Sequence, residues 1–210
     1  MVQVHKSRVF KASTLCLLAF AGCSPGGVPA PAHPTEVACR PFWVCVAAGD
    51  PKPKLLLTQR TGKSLGLVFG PSVLDRYEVA DKDTLLRAEV REWRTTLASG
   101  FTSGFGVAFE VVPAGARSDY TLELDRASVS LSSLEVGFMD QVLSARADLR
   151  YVARLVDAQG RVVRSTSGTA ASRTFTLRGR DVTDGVMTAV TAMYEALGRD
   201  CFAPFEWLPR

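Results

Sequence analysis

The feature that most constrains this chain is an alternation. Ala145, Ala147, Leu149, Tyr151, Ala153 and Leu155 are apolar or small, and Arg146, Asp148, Arg150 and Arg154 stand between them. A period of two over so many residues defines a strand with one buried and one wet face. Such a strand needs a covering layer on one side only. Asp157-Ala158-Gln159-Gly160 then reads as a turn, with Arg161 to Phe175 returning as its partner. Asp181 to Leu197 follows with Val182, Val186, Val190, Met193 and Leu197 at helical spacing. Asp181 caps this helix and Gly198 ends it.

The same logic extends upstream. Tyr120, Leu122 and Leu124 alternate with Thr121, Glu123 and Asp125, and then the apolar set slips to Ala127, Val129 and Leu131. A β-bulge near Asp125-Arg126 accounts for the slip. Gly106 to Val112, Leu55 to Leu57 and Leu65 to Phe69 read as further strands, with Thr61-Gly62 as a turn. Leu86, Val90, Trp93, Leu97 and Phe101 fall on one face of a helix expected over 84–101, capped by Asp83 or Thr84. Phe42 to Ala48 opens the folded region as a short apolar run. Two one-faced helices and several one-faced strands predict an α+β two-layer sandwich, with a mainly antiparallel sheet and both amphipathic helices on one face.

The beginning of the chain has a different character. Lys6, Arg8 and Lys11 precede an apolar stretch from about Leu15 to Ala21, and Ala21-Gly22 lead into Cys23. Basic, apolar and small-residue parts in that order form an export signal. The run from Leu17 to Cys23 resembles a lipobox, where Cys23 is lipidated and the chain is cut before it, although Phe20 stands where Leu is usual. The resemblance implies a palmitate-type acyl anchor on Cys23. The apolar stretch is too short to span a bilayer, so the expected protein is anchored by lipid. Ser24 to Glu36 is rich in Pro, Gly and Ala and suits an extended tether. The expected organisation is a signal peptide over 1–22, a lipidated tether over 23–41 and a single periplasm-facing domain over 42–210. A non-acidic Ser24 favours the outer membrane by the common sorting rule.

Removing residues 1–22 takes three of the 25 Lys/Arg and none of the 21 Asp/Glu, which leaves a net charge of +1. That balance gives no reason to expect a nucleic-acid partner. Besides Cys23, the exported part keeps Cys39, Cys45 and Cys201 as disulfide candidates. An oxidising periplasm favours one bond. A pairing that includes Cys201 is preferred, because it ties the two ends of the domain together.

Both histidines, His5 and His33, lie outside the expected domain. Histidine-dependent triads and most catalytic zinc sites therefore have no residue to work with. No enzyme activity, metal or cofactor is expected. Thr61-Gly62-Lys63-Ser64 lacks the earlier glycine of a phosphate-binding loop and reads as a turn. Ser99 to Gly106 reads as a helix exit, since it fits neither a dinucleotide loop nor a nucleophile elbow. Asp119, Glu123 and Asp125 invite a paired-carboxylate reading, but alternation alone places them in solvent. Candidates for partner contact are Arg146, Arg150 and Arg154 on the wet strand face, with Val136, Phe138 and Met139 in an apolar connector.

Pro71-x-x-Leu74-Asp75-Arg76 precedes a helix containing Arg91 and Trp93. That order resembles the auxiliary lipoproteins of ABC-type intermembrane transport systems, and the later hairpin and closing helix match them too. Lipopolysaccharide-assembly lipoproteins share a similar two-helix, one-sheet architecture. The resemblance covers about Leu55 to Leu197. It implies a non-catalytic envelope protein that docks onto a transport or assembly partner, helping to move lipids or maintain the outer membrane; the alternative is a lipid- or ligand-binding lipoprotein whose sheet and helices enclose a lipid tail.

Overall fold

The computed structural model describes residues 43–46, 48–55, 57, 60–81, 86–136, 142–176 and 179–202. Residues Ala38–Arg210 form one compact unit. Its strands are β1 (Val44–Val46), β2 (Ser64–Phe69), β3 (Tyr77–Ala80), β4 (Arg87–Val90), β5 (Glu110–Val111), β6 (Tyr120–Val136), β7 (Val142–Asp157), β8 (Val162–Ala171) and β9 (Phe175–Thr176). The helices are α1 (Trp93–Phe105) and α2 (Gly179–Leu197), and α2 runs on into a π-helical turn, Gly198–Phe202.

The long strands of the alternation dominate. The main sheet has the order β5-β2-β6-β7-β8, with β9 also paired to β7. β7 pairs antiparallel with both β6 and β8, whereas β2 lies parallel to both β5 and β6. The expected bulge is present. Leu124 pairs with Ala153 and Arg126 with Val152, so Asp125 is the extra residue. It lets Leu122, Leu124, Ala127 and Val129 all reach the core despite the broken alternation. A second sheet, β1-β4-β3, is small and mixed.

The inner face of β7 meets α2 through Val182, Val186, Val190 and Met193, all fully buried. Helix α1 packs on α2 and β2. Phe101, Phe105, Phe109, Tyr194 and Phe202 interlock between the helices, the tightest ring pair being Phe105–Phe202 at 4.9 Å. The Tyr194 hydroxyl donates to the Leu97 carbonyl at 2.7 Å, so the buried phenol keeps a partner. The molecule is the two-layer α+β sandwich expected from the pattern.

Several local expectations need correction. The helix predicted over 84–101 starts only at Trp93, because Arg87–Val90 is strand β4. Leu86, Ala88 and Val90 are all buried, and their period of two serves a strand as well as Leu86 and Val90 serve a helix. Asp83 and Thr84 lie outside the described residues. Leu55 and Leu57 are not in a strand; Pro51 and Pro53 just before them lack amide donors for a ladder. The strand expected over 106–112 shrinks to Glu110–Val111. The α-helical part of α2 ends at Leu197 as expected, but Gly198 opens a π-helical turn, and a Cβ there would stand 3.0 Å from Leu55. Within the Ser99–Gly106 run Gly100 and Gly104 are inside α1, and Gly106 stands at its exit as expected. A Cβ at Gly100 would meet the Tyr194 ring at 2.9 Å, which is why α1 can lie so close to α2.

Candidate functional site

The segment carrying the Pro-x-x-Leu-Asp-Arg pattern is fastened to the bulged strand. Strand β2 stops pairing with β6 at Leu124. Beyond that point the outward backbone groups of β6 meet no strand, and a buried unpaired group is costly. Side chains take the place of the missing strand. Ser72 Oγ donates to the Asp125 carbonyl. Trp93 Nε1 donates to the Ala127 carbonyl at 2.8 Å. The Val129 amide donates to the Tyr77 hydroxyl at 3.0 Å, and the Ser133 amide to Asp81 Oδ2 at 3.0 Å. Tyr77 and Trp93 also meet edge to face at 6.1 Å. Burial pushes the Tyr77 phenol well above its ordinary range, so it stays a neutral hydrogen-bonding group.

The same segment starts helix α1. Glu92 sits in the left-handed region (φ 51°) and makes no side-chain cap. Asp75 replaces it: its carbonyl accepts from the Trp93 amide at 2.9 Å, and its Oδ1 accepts from the Arg94 amide at 3.0 Å. Arg94 Nε returns a bond to the Val73 carbonyl at 2.8 Å.

Arg76 reaches the residue that sequence reading missed. Glu89 on β4 is 1% exposed, and its carboxylate accepts from Arg91 Nη2 at 2.8 Å and from Arg76 Nε. Bonding to Arg91, with Arg76 beside it, holds the Glu89 carboxyl below its usual range against the opposing effect of burial. Glu89 falls within the helix expected over 84–101, and only the strand at β4 turns it inward. The arginines flanking an apolar alternation were the available signal.

The wet face of β7 is as expected, but its arginines differ. Arg154 bridges Glu123 and Asp125: its Nη2 lies 3.0 Å from Glu123 Oε2, and its Nε lies 2.8 Å from Asp125 Oδ2. The two acids are thus ion-paired to a cation between them. Arg146 pairs with Asp148 at 3.0 Å. Arg150 is exposed, opposite Ser128 on β6 and Thr169 on β8, with no ion pair among the described residues. Asp119 is elsewhere. It accepts from the Ser64 amide at 2.8 Å, and this bond holds its carboxyl below the usual range. Arg154→Ala is expected to lower stability by about 0.5–1 kcal/mol, because all three groups keep solvent contact; urea titration checks it.

Val136 ends strand β6, while Phe138 and Met139 lie outside the described residues. Leu134, beside them, is half exposed. Cys23 and Cys39 also lie outside. Cys45 is disulfide-bonded, whereas Cys201 is a free thiol with no solvent exposure. The preference for a bond to Cys201 is therefore corrected: the π-helical turn walls this thiol into the core. Burial pushes it up to about 11, so it stays protonated and unreactive. A thiol reagent near neutral pH should find Cys201 only after unfolding; native reactivity that vanishes in Cys201→Ala would show otherwise.

The described residues form at least two clefts. The larger, about 510 Å³, is lined by Arg60, Gly62, Gly106, Ala108, Phe109, Glu110 and Val111. The smaller, about 260 Å³, lies between Phe175 and the start of α2. Neither brings sequence-predicted site residues together.

The described residues thus define an α+β sandwich whose main sheet is clamped by side chains along one edge. The chain matches no sequence-family model and no curated protein. Its fold is similar to that of a Xanthomonas campestris protein of the DUF330 family, at a TM-score of 0.50 and 18% identity over 73% of this chain and 91% of that one. Bacterial lipoproteins are among the other structural neighbours. A minor lipoprotein from Acinetobacter baumannii superposes at a TM-score of 0.40 (13% identity, 69% and 90% of the two chains). Rare lipoprotein B from Shewanella oneidensis does so at 0.40 (12% identity, 67% and 93%). At that level neither bears on function.

Proposed function

We propose that this chain is a bacterial envelope lipoprotein that serves, without catalysis, as a docking component of a lipid-transport or outer-membrane assembly system. The observation that carries the reading is the run ending in Ala21-Gly22-Cys23 after a basic and then an apolar segment. The anchor holds the domain at the outer membrane, facing the periplasm. The domain supplies support of two kinds. Asp75 and Arg76 of the Pro-x-x-Leu-Asp-Arg pattern spend their polar groups on the start of α1 and on Glu89, which favours a structural role for them. Glu123 and Asp125 are spent on Arg154, which favours a non-catalytic reading over a carboxylate hydrolase. Arg150, Leu134, Val136, Phe138 and Met139 are the proposed contacts with an envelope partner.

The anchor is tested by the mass of the protein extracted from its own membranes. A chain beginning at Cys23 with acyl groups is expected, and Cys23→Ser should release the domain from the membrane fraction. Docking is tested separately, with a photo-crosslinking residue at 138 or 150 in cells. An adduct with an envelope transport or assembly protein is expected, and absence of any envelope-protein adduct at both positions would defeat the docking proposal.

A further inference from the structure

Among the described residues, strand β8 forms an open edge of the main sheet, since it lies last in the order after β7. The register shows which backbone groups it presents. Ala147 accepts from the Ser172 amide, so the odd residues of β7 direct their backbone groups toward β8. Leu149, Tyr151 and Ala153 then exchange bonds with Ala170, Gly168 and Thr166, because hydrogen-bonded pairs alternate with non-bonded ones in an antiparallel ladder. Ser165, Ser167, Thr169 and Ala171 are left with both backbone groups directed outward. All four are exposed, and among the described residues none has a backbone hydrogen bond on that side.

Natural edges are usually blunted with lysine, proline or a bulge. From Ser165 to Ser172 this strand has no charge, no proline and no register shift. The opposite flank of the sheet is managed quite differently, with side chains from Ser72, Tyr77, Asp81 and Trp93 on β6.

We infer that β8 pairs antiparallel with β8 of a second copy of this chain, about a two-fold axis at Gly168. That axis is the one that matches all four outward residues with each other: Ser165 with Ala171, and Ser167 with Thr169. It sets Arg164 opposite Ser172, so the basic residues of the two strands do not face each other. On the solvent face, Ser167 and Thr169 hydroxyls meet twice, a favourable cross-strand pairing. Gly168 falls at the axis, where two backbones approach most closely; its own sheet already requires glycine there, since a Cβ would stand 2.7 Å from the Tyr151 hydroxyl. An edge without charge offers a charged segment nothing to select, whereas its own sequence fits it in register.

The register makes a sharp test in the full-length protein. In a paired residue set the Cα atoms stand about 5.5 Å apart, within disulfide range. Cells producing Ser167→Cys together with Thr169→Cys should give a covalent dimer joining the two variants under mild oxidation. Either variant alone should give little. Ser167→Pro removes an outward amide that β7 does not use, so the circular dichroism spectrum should be unchanged while the wild-type dimer, weighed by sedimentation, becomes a monomer. A wild-type monomer with no mixed crosslink would overturn the proposal. So would a crosslink from these positions to a different protein, which would assign the edge to another partner.

Discussion

Trp93→Ala is expected to lower the free energy of unfolding by about 3–5 kcal/mol, the range for truncating a buried aromatic side chain. The indole is 1% exposed. It touches Tyr77 and donates to the Ala127 carbonyl, so its loss removes packing and leaves a strand carbonyl without its donor. Trp93→Phe separates the two effects. It keeps most of the ring and should cost only the unmet hydrogen bond and a small void, about 1–3 kcal/mol. Guanidinium unfolding of both variants checks this. Equal losses would mean that the hydrogen bond and not the packing dominates, and near-zero losses would remove the clamp as a stabilising device. Because the clamp joins the start of α1 to the sheet, the same variant should raise hydrogen exchange along 125–133 more than along β8.

Glu89→Ala is expected to cost about 3 kcal/mol near pH 7. Breaking a buried ion pair ordinarily costs about 3–5 kcal/mol, and the low end applies because Arg76 keeps 58% of its side chain in water. Arg91, at 18% exposed, bears most of the loss. The effect depends on pH with a definite sign. The folded-state value of Glu89 is lowered relative to its ordinary 4.5. Its contribution is therefore fully present above pH 4.5 and fades as the pH falls toward the folded value. Wild type and variant should converge in strongly acidic solution. A difference that stays constant between neutral and strongly acidic pH would mean that the arginine contacts are not what the carboxylate contributes. Glu89→Gln, which keeps shape and loses charge, should flatten the acid limb in the same way.

The two residues behind these effects differ in how visible they were. Trp93 stood out as an inward position and as part of the Pro71 to Trp93 pattern. Its role could not be read, because the carbonyl that it satisfies lies on β6, exposed by the early end of β2 at Leu124. Glu89 was invisible. Its neighbours fit a helical wheel, and only packing of Leu86, Ala88 and Val90 on the small sheet turned the segment into a strand. The bulge at Asp125 was legible, since a slip of alternation has one common cause. Arg154 was legible as a wet-face residue, but its two partners come from the neighbouring strand and depend on that bulge.

The sequence by itself determined the period-two faces of β6, β7 and β8, the apolar stripe of α2 and hence the two-layer sandwich, because burial of one face follows from local spacing. Tertiary structure decided the start of α1, the inward turn of Glu89, the isolation of Cys201 and the division of the sheet into one clamped and one open edge. Each of these depends on which distant backbone or side-chain group is left to be satisfied. No local pattern records that, since strand ends and register are set by partners far apart in the chain.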